Sequence, residues 1–216
     1  ADAGRTPRRR ARALAHGVRL NAAPAPRAWL ALTLLLALAA LGGWWAPRTL
    51  LDWQPSLGLR EPWRALSAVA VHYSALHLGA NLAGAALVGA LGVAARVPLG
   101  IVLAWLVAWP LTHLGLLMRP DLAHYGGLSG VLHAGVAAAA LWLLARERGR
   151  RQLIGAAVLA LLLVKILAES PWGPPVQARE GWDIAVAPFA HATGAIGGLL
   201  CARLALLLTS PSRHDD

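Results

Sequence analysis

The run AWLALTLLLALAALGGWWA, from Ala28 to Ala46, carries no charge. As an α-helix it can cross the hydrocarbon core of a bilayer, which takes about 20 residues. A helix buried in a soluble core rarely runs so far uninterrupted. Composition agrees: 57% of the residues are hydrophobic, 14% are charged, and the mean hydropathy is +0.55. A soluble domain is typically about 25% charged. The chain therefore reads as an all-α, polytopic membrane protein.

Six spans are expected: Ala28–Ala46, a second within Ala65–Ala94, Val97–Leu117 interrupted by Pro110, a short Ser129–Leu144, Gln152–Ala168 and Ile184–Leu208. They divide the chain into a basic arm (1–27), a six-helix membrane domain (28–208) and a short tail (209–216). No internal repeat is evident. The Arg-rich start resembles a signal peptide, but its apolar run is longer than a signal core requires, so a retained first helix is expected. Met118 is the only methionine, so an initiator is missing and trimming or truncation is expected.

The net charge of +10 first points to nucleic acid, but its distribution points to a membrane. Arg5, Arg8, Arg9, Arg10, Arg12, Arg19 and Arg27 precede the first span, and Arg146, Arg148, Arg150 and Arg151 separate the fourth from the fifth. Basic residues beside span ends hold those ends in the cytoplasm and meet anionic lipid. The alternate loops balance Arg48 with Asp52, Arg119 with Asp121, and Arg179 with Glu180 and Asp183. Both termini are thus expected inside, with no nucleic-acid partner, since no groove-reading motif accompanies the arm. Trp44, Trp45, Trp172 and Trp182 suit interfacial anchoring. The lone Cys201 permits no internal disulfide and is expected to be a packing residue.

The fourth span follows LAHYGGLSG, a glycine-rich stretch that makes poor helix. Irregular backbone at bilayer depth is tolerated only inside protein or beside a watery cavity. A loop that dips inward and turns helical near Ser129 is expected. Polar groups gather in two other spans. His77 and Asn81 are four apart and share one helical face, whereas His72 need not. His191, Gly194 and Gly198 also share a face, and small residues so spaced let membrane helices pack closely. Such packing would bring His191 to Ser129 as its general base. The Ser129 amide, His77 and Asn81 would then supply donors for an oxyanion. No carboxylate lies near His191 in its own span, so a Ser–His dyad is expected.

Lys165 and Glu169, four apart at the outer end of the fifth span, read first as a snorkelling structural pair. A functional alternative is that they tether this helix and tune admission of substrate. His113 and His124 are expected in an exposed loop. A metal or haem site built from His72, His77, His133 and His191 is a rival reading. It lacks H-E-x-x-H and any carboxylate near those histidines to orient an imidazole, so no metal or cofactor is expected.

As a set, these motifs resemble the rhomboid family of intramembrane serine proteases, from about Ala28 to Leu208. His72, His77 and Asn81 fit H-x4-H-x3-N. Gly127, Ser129 and Gly130 fit G-x-S-G. Ala190, His191, Gly194 and Gly198 fit A-H-x2-G-x3-G, and Trp63-Arg64 matches a Trp-Arg pair of the first outer loop. The resemblance implies a six-helix rhomboid-like bundle with Ser129 as nucleophile and His191 as base. It implies an oxyanion hole of His77, Asn81 and the Ser129 amide. His72 would support the site, and Trp63 and Arg64 would shape the lipid-facing loop. Many rhomboids carry Tyr four residues after the serine; here His133 stands there. That variant is similar to the bacterial rhombosortase branch, associated with proteins bearing a C-terminal Gly-Gly motif, an apolar helix and a basic tail. The resemblance implies a bacterial inner-membrane enzyme, opening to the outer side, that cleaves such sorting tails with transfer to an amine as a further outcome. A catalytically silent relative that only binds membrane clients is the main alternative; it would be expected to lack Ser or His at the key places.

Overall fold

The computed structural model describes residues 24–209; most of the basic arm and the tail after Thr209 lie outside the described residues. Six helices are long and apolar enough to cross a membrane. They are built on α1 (Pro26–Gly42), α2 (Ala75–Ala94), α3 (Leu99–Leu114), α4 (Ser129–Arg146), α5 (Arg150–Ala168) and α6 (Pro188–Leu208), with α1 and α3 extended by 3-10 turns to Trp45 and Met118. No strand occurs among the described residues, only isolated bridges such as Trp53 with Tyr125.

Local chemistry explains where the helices begin. Ser74 caps α2: its hydroxyl accepts from the His77 amide at 3.0 Å, satisfying one of the unpaired N–H groups of the first turn. The second span lies within the expected Ala65–Ala94 stretch. Residues from Arg64 to Ala70 form two short helical turns, and Val71 is extended. His72 sits before the helix rather than within it. Pro188 opens α6 at a position where no amide hydrogen is needed. Ile184–Ala187, expected in the last span, is instead irregular, with Val186 bridging Gln177. Pro110 does not end α3, which runs to Leu114 before a 3-10 turn, Gly115–Met118.

α4 runs through the middle of the bundle, packed by α6, α5, α3 and α2. Most of its residues are buried, so it is not a lipid-facing helix. Alanine and glycine make this crowding possible. A Cβ on Gly194 would collide with the Gly130 carbonyl, and one on Gly198 with the Ala134 carbonyl. Backbone thus meets backbone along the α4–α6 seam, as the small-residue spacing predicts. On the other side, α1 crosses α2 through fully buried Trp29, whose indole donates to Val88 O at 2.9 Å. Trp105 of α3 stacks 4.3 Å from Trp29 and donates to Val131 O of α4 at 2.8 Å. Both indoles thus satisfy their only polar atom while filling the core. Trp45 and Trp172 are largely exposed.

α5 is the exception. It leans on α4 and is the least buried of the six, with only Gly155 and Ile166 buried. Gly155, near the start of α5, fits against Leu143 and the Ala140 carbonyl.

Gly198→Val should lower stability by about 1–3 kcal/mol or more, the scale of overpacking a filled interior. Thermal unfolding in detergent measures it, and unchanged stability would contradict the close α4–α6 seam.

Candidate active site

Ser129 is the first residue of α4, reached by an irregular segment from Arg119 to Leu128. The expectation of a loop dipping inward and turning helical at the serine is met at that residue. Gly127 makes the approach possible. Its φ of +133° lies where side chains are strained, and a Cβ would stand 2.8 Å from His77 Nε2. Gly130 lies under Ala190 O of α6 at a similar would-be separation.

The close α4–α6 seam places His191 Nε2 3.0 Å from Ser129 Oγ. On the far side of the same ring, His191 Nδ1 lies 2.6 Å from Glu169 Oε2. This corrects the expectation of a bare dyad, and it corrects the reading of Lys165 and Glu169 as a surface pair alone. Lys165 Nζ does hold Glu169 Oε1 at 2.7 Å, but the second carboxylate oxygen faces the histidine. The physical reason is the end of α5. Its last turn carries Glu169 over the α6 N-terminal turn, a proximity that sequence separation conceals. Burial would raise the Glu169 carboxyl. Hydrogen bonds from His191 and Lys165 outweigh that effect and hold it well below the usual carboxylate range, so it is ionised.

His77 and Asn81 lie one turn apart on α2, both buried, on the other side of Ser129. The Asn81 amide nitrogen has no hydrogen-bond partner among the described residues. Ser129 N–H belongs to the first turn of α4, where amides lack intrahelical acceptors and the helix dipole favours negative charge. A buried donor without an acceptor is costly unless something fills the space it faces. These groups therefore suit a transient anion beside Ser129.

They line the polar end of a cavity of about 630 Å³. Its other walls are apolar, from α2, α4 and α5. Leu87 of α2 and Leu161 of α5 line it and are also strongly exposed, so it opens sideways between those helices. The loop after α5 covers the polar end. Arg179 Nη2 donates to Glu169 O at 2.6 Å, Trp182 meets the His77 ring edge-on, and Ser74 Oγ donates to Asp183 Oδ1 at 2.6 Å.

His133 lies one turn after Ser129, its ring stacked on His191 at 4.3 Å and 10°. Its Nδ1 meets Ser129 O at 2.7 Å. A carbonyl can only accept, so Nδ1 carries the hydrogen. His72 packs against His77 at 4.7 Å. Burial pushes His72 down to about 4, so it is neutral at pH 7. Among the described residues no three His, Cys, Asp or Glu side chains group as a metal ligand set.

The segment between α1 and α2 is built on a buried cation. Arg64 donates to Asp52 O at 2.8 Å, Asp52 Oδ1 at 3.1 Å, Thr49 O at 2.9 Å and Glu61 Oε2 at 2.6 Å. The other Asp52 oxygen meets His124 Nδ1 at 2.6 Å. Trp63 points outward and is 54% exposed. His113 departs from expectation: it is fully buried, with Nδ1 2.6 Å from Ala65 O. It lies in the last turn of α3, whose continuation past Pro110 carries it inward.

Fold and site together define a multi-pass helical membrane protein with a serine hydroxyl set against a histidine inside its bundle. The family model for the Rhomboid domain matches residues 59–207, well over half of the chain, and spans Ser129, His191, Glu169, His77 and Asn81. The chain belongs to the rhomboid family, whose members are generally intramembrane serine proteases acting on membrane proteins. Comparison with curated proteins finds no match.

Arg64→Ala should cost about 3–5 kcal/mol, because it leaves the buried Asp52 carboxylate without its cation. The loss should appear as a lower unfolding temperature in detergent; a near-neutral effect would mean the loop does not rest on this pair.

Proposed function

We propose that this protein is an intramembrane serine endopeptidase that cleaves membrane-anchored proteins at C-terminal Gly-Gly-type sorting tails. The observation that carries the reading is the 3.0 Å contact between His191 Nε2 and Ser129 Oγ at the polar end of a laterally open apolar cavity. A protein that merely binds membrane clients needs neither group.

In this mechanism a substrate helix unwinds at small residues and reaches the site from between α2 and α5. Ser129 Oγ attacks the scissile carbonyl carbon as its proton passes to His191 Nε2. The carbonyl electron pair moves to oxygen, where the Ser129 amide, Asn81 and His77 donate to it. Collapse breaks the C–N bond, and His191 returns the proton to the leaving amine. Water then resolves the acyl-enzyme, or an amine takes the new C-terminus.

His133 supports the choice of substrate class. It occupies the place of the usual tyrosine and stacks on the catalytic ring. Charge supports the orientation. Arg151 reaches the Ala94 and Ala95 carbonyls at the end of the bundle that carries Arg96 and Arg146. Ser129 lies at the opposite end of α4 from Arg146. By the rule that basic ends stay inside, the site faces the outer side of a bacterial cytoplasmic membrane, with both termini within.

A fluorophosphonate should label the purified protein, and Ser129→Ala should block labelling. Co-expression with a Gly-Gly-tailed substrate should yield cleavage that Ser129→Ala and His191→Ala abolish and Asn81→Ala lowers on the order of 100-fold, as for one lost oxyanion donor. Full cleavage by Ser129→Ala would sink the proposal. Client capture without labelling would favour a silent binder.

A further inference from the structure

We propose that Glu169 is a positioning residue for His191, converting the Ser129–His191 pair into a Ser–His–Glu relay, and that Lys165 holds Glu169 in place. The proposal rests on the serine protease reading. It assigns to the end of α5 a part in the chemistry that the motif residues do not include.

Geometry is the first support. Glu169 Oε2, His191 Nδ1, His191 Nε2 and Ser129 Oγ form a continuous chain, with contacts of 2.6 Å and 3.0 Å at its two hydrogen-bonded links. An ionised carboxylate can only accept. Nδ1 therefore carries the hydrogen, and Nε2 turns its lone pair to the Ser129 hydroxyl. This is the one neutral tautomer in which His191 can act as base. Without an acceptor at Nδ1, the alternative tautomer places a hydrogen on Nε2 and blocks the transfer.

Anchoring is the second support. Both Glu169 oxygens are engaged, one by His191 and one by Lys165. Its backbone is held as well: the amide donates to Lys165 O at 3.1 Å, and the carbonyl accepts from Arg179. An exposed i,i+4 pair is worth little to stability and fixes little. Here the Glu169 side chain is 22% exposed against 47% for Lys165, so the acid lies inward of its partner. Lys165 then does what an isolated pair would not. It compensates the carboxylate where protein and lipid reduce solvation.

Among the described residues, Glu169 is the acceptor that His191 Nδ1 meets. The titratable and charged groups facing His191 are Ser129 and His133 from α4, His77 from α2, and Lys165 and Glu169 from the end of α5. His133 stacks face to face and commits its own Nδ1 to the Ser129 carbonyl. It restrains the ring plane but offers no bond in that plane. Within it the ring is held by Glu169 at Nδ1 and Ser129 at Nε2.

The Ser129 proton moves to Nε2 while the Oγ–C bond forms, giving an imidazolium. Glu169 stays ionised and keeps its bond to Nδ1–H, so it stabilises that cation without taking the proton. The Nε2 proton then leaves with the amine.

The test uses full-length enzyme in detergent or liposomes with a Gly-Gly-tailed substrate. Rates are normalised to fluorophosphonate-titrated sites, and folding is followed by thermal unfolding. Glu169→Gln should lower kcat about 100-fold or more with KM little changed, as expected when the base loses its correct tautomer. Glu169→Asp should recover part of that loss. Lys165→Met should have a smaller effect, and none in the Glu169→Gln background, because it acts through the carboxylate. Wild-type cleavage with Glu169→Gln within about threefold of it would overturn this proposal and leave the serine mechanism standing. An equal Lys165→Met loss in both backgrounds would overturn the assignment of Lys165. A folded wild-type protein that neither labels nor cleaves would instead overturn the protease reading itself.

Discussion

The contact on which the rest depends is the backbone-to-backbone meeting of α4 and α6. Gly194 faces the Gly130 carbonyl, and Gly198 faces the Ala134 carbonyl. Lipid tails are as apolar as leucine, so apolar burial alone does little to hold membrane helices together, and close van der Waals packing has to. That packing also sets the chemistry. Each extra methylene on the seam would move the α6 backbone away from α4, and His191 away from the Ser129 hydroxyl. Stability and reactive geometry share one cause here.

A second constraint is the cost of polar groups away from water. Arg64, Asp52, His72, His77, Asn81, His113 and His191 are all buried. Most have partners that explain their burial: Arg64 with Asp52, His113 with Ala65 O, His191 with Ser129 and Glu169. The Asn81 amide nitrogen, the His72 ring nitrogens and His113 Nε2 have none among the described residues, and of these three side chains Asn81 is the one that lines the cavity beside the serine. That donor faces the space where a reacting carbonyl would sit. The same logic separates Arg64, which builds a loop, from Lys165, which compensates a carboxylate beside the site.

Much of the architecture was legible because membrane helices announce themselves by length and composition. The number of spans, the start of α4 at Ser129 and the small-residue face of α6 were all readable from local pattern. α2 lies within Ala65–Ala94, but His72 falls before it, because the chain through Ala65–Val71 is in short turns and extended backbone although its residues are apolar. His113, expected in an exposed loop, is buried instead, because α3 carries on past Pro110. The serine, the histidine and the α2 polar pair could be singled out by chemistry and spacing, since each lies in a recognisable local motif.

The sequence by itself determined that this chain spans a membrane six times, and which residues could supply a nucleophile, a base and anion donors. Helix periodicity and hydropathy are local properties, so local reading suffices for them. Tertiary structure alone decided what faces the back of His191. Glu169 reads in sequence as a helix-spaced partner of Lys165, and that pair does form. Its second oxygen reaches His191 only because the C-terminal end of α5 comes to rest beside the first turn of α6. No periodicity encodes that approach. It follows from how α5 and α6 both pack on α4, a property of the assembled bundle rather than of any segment.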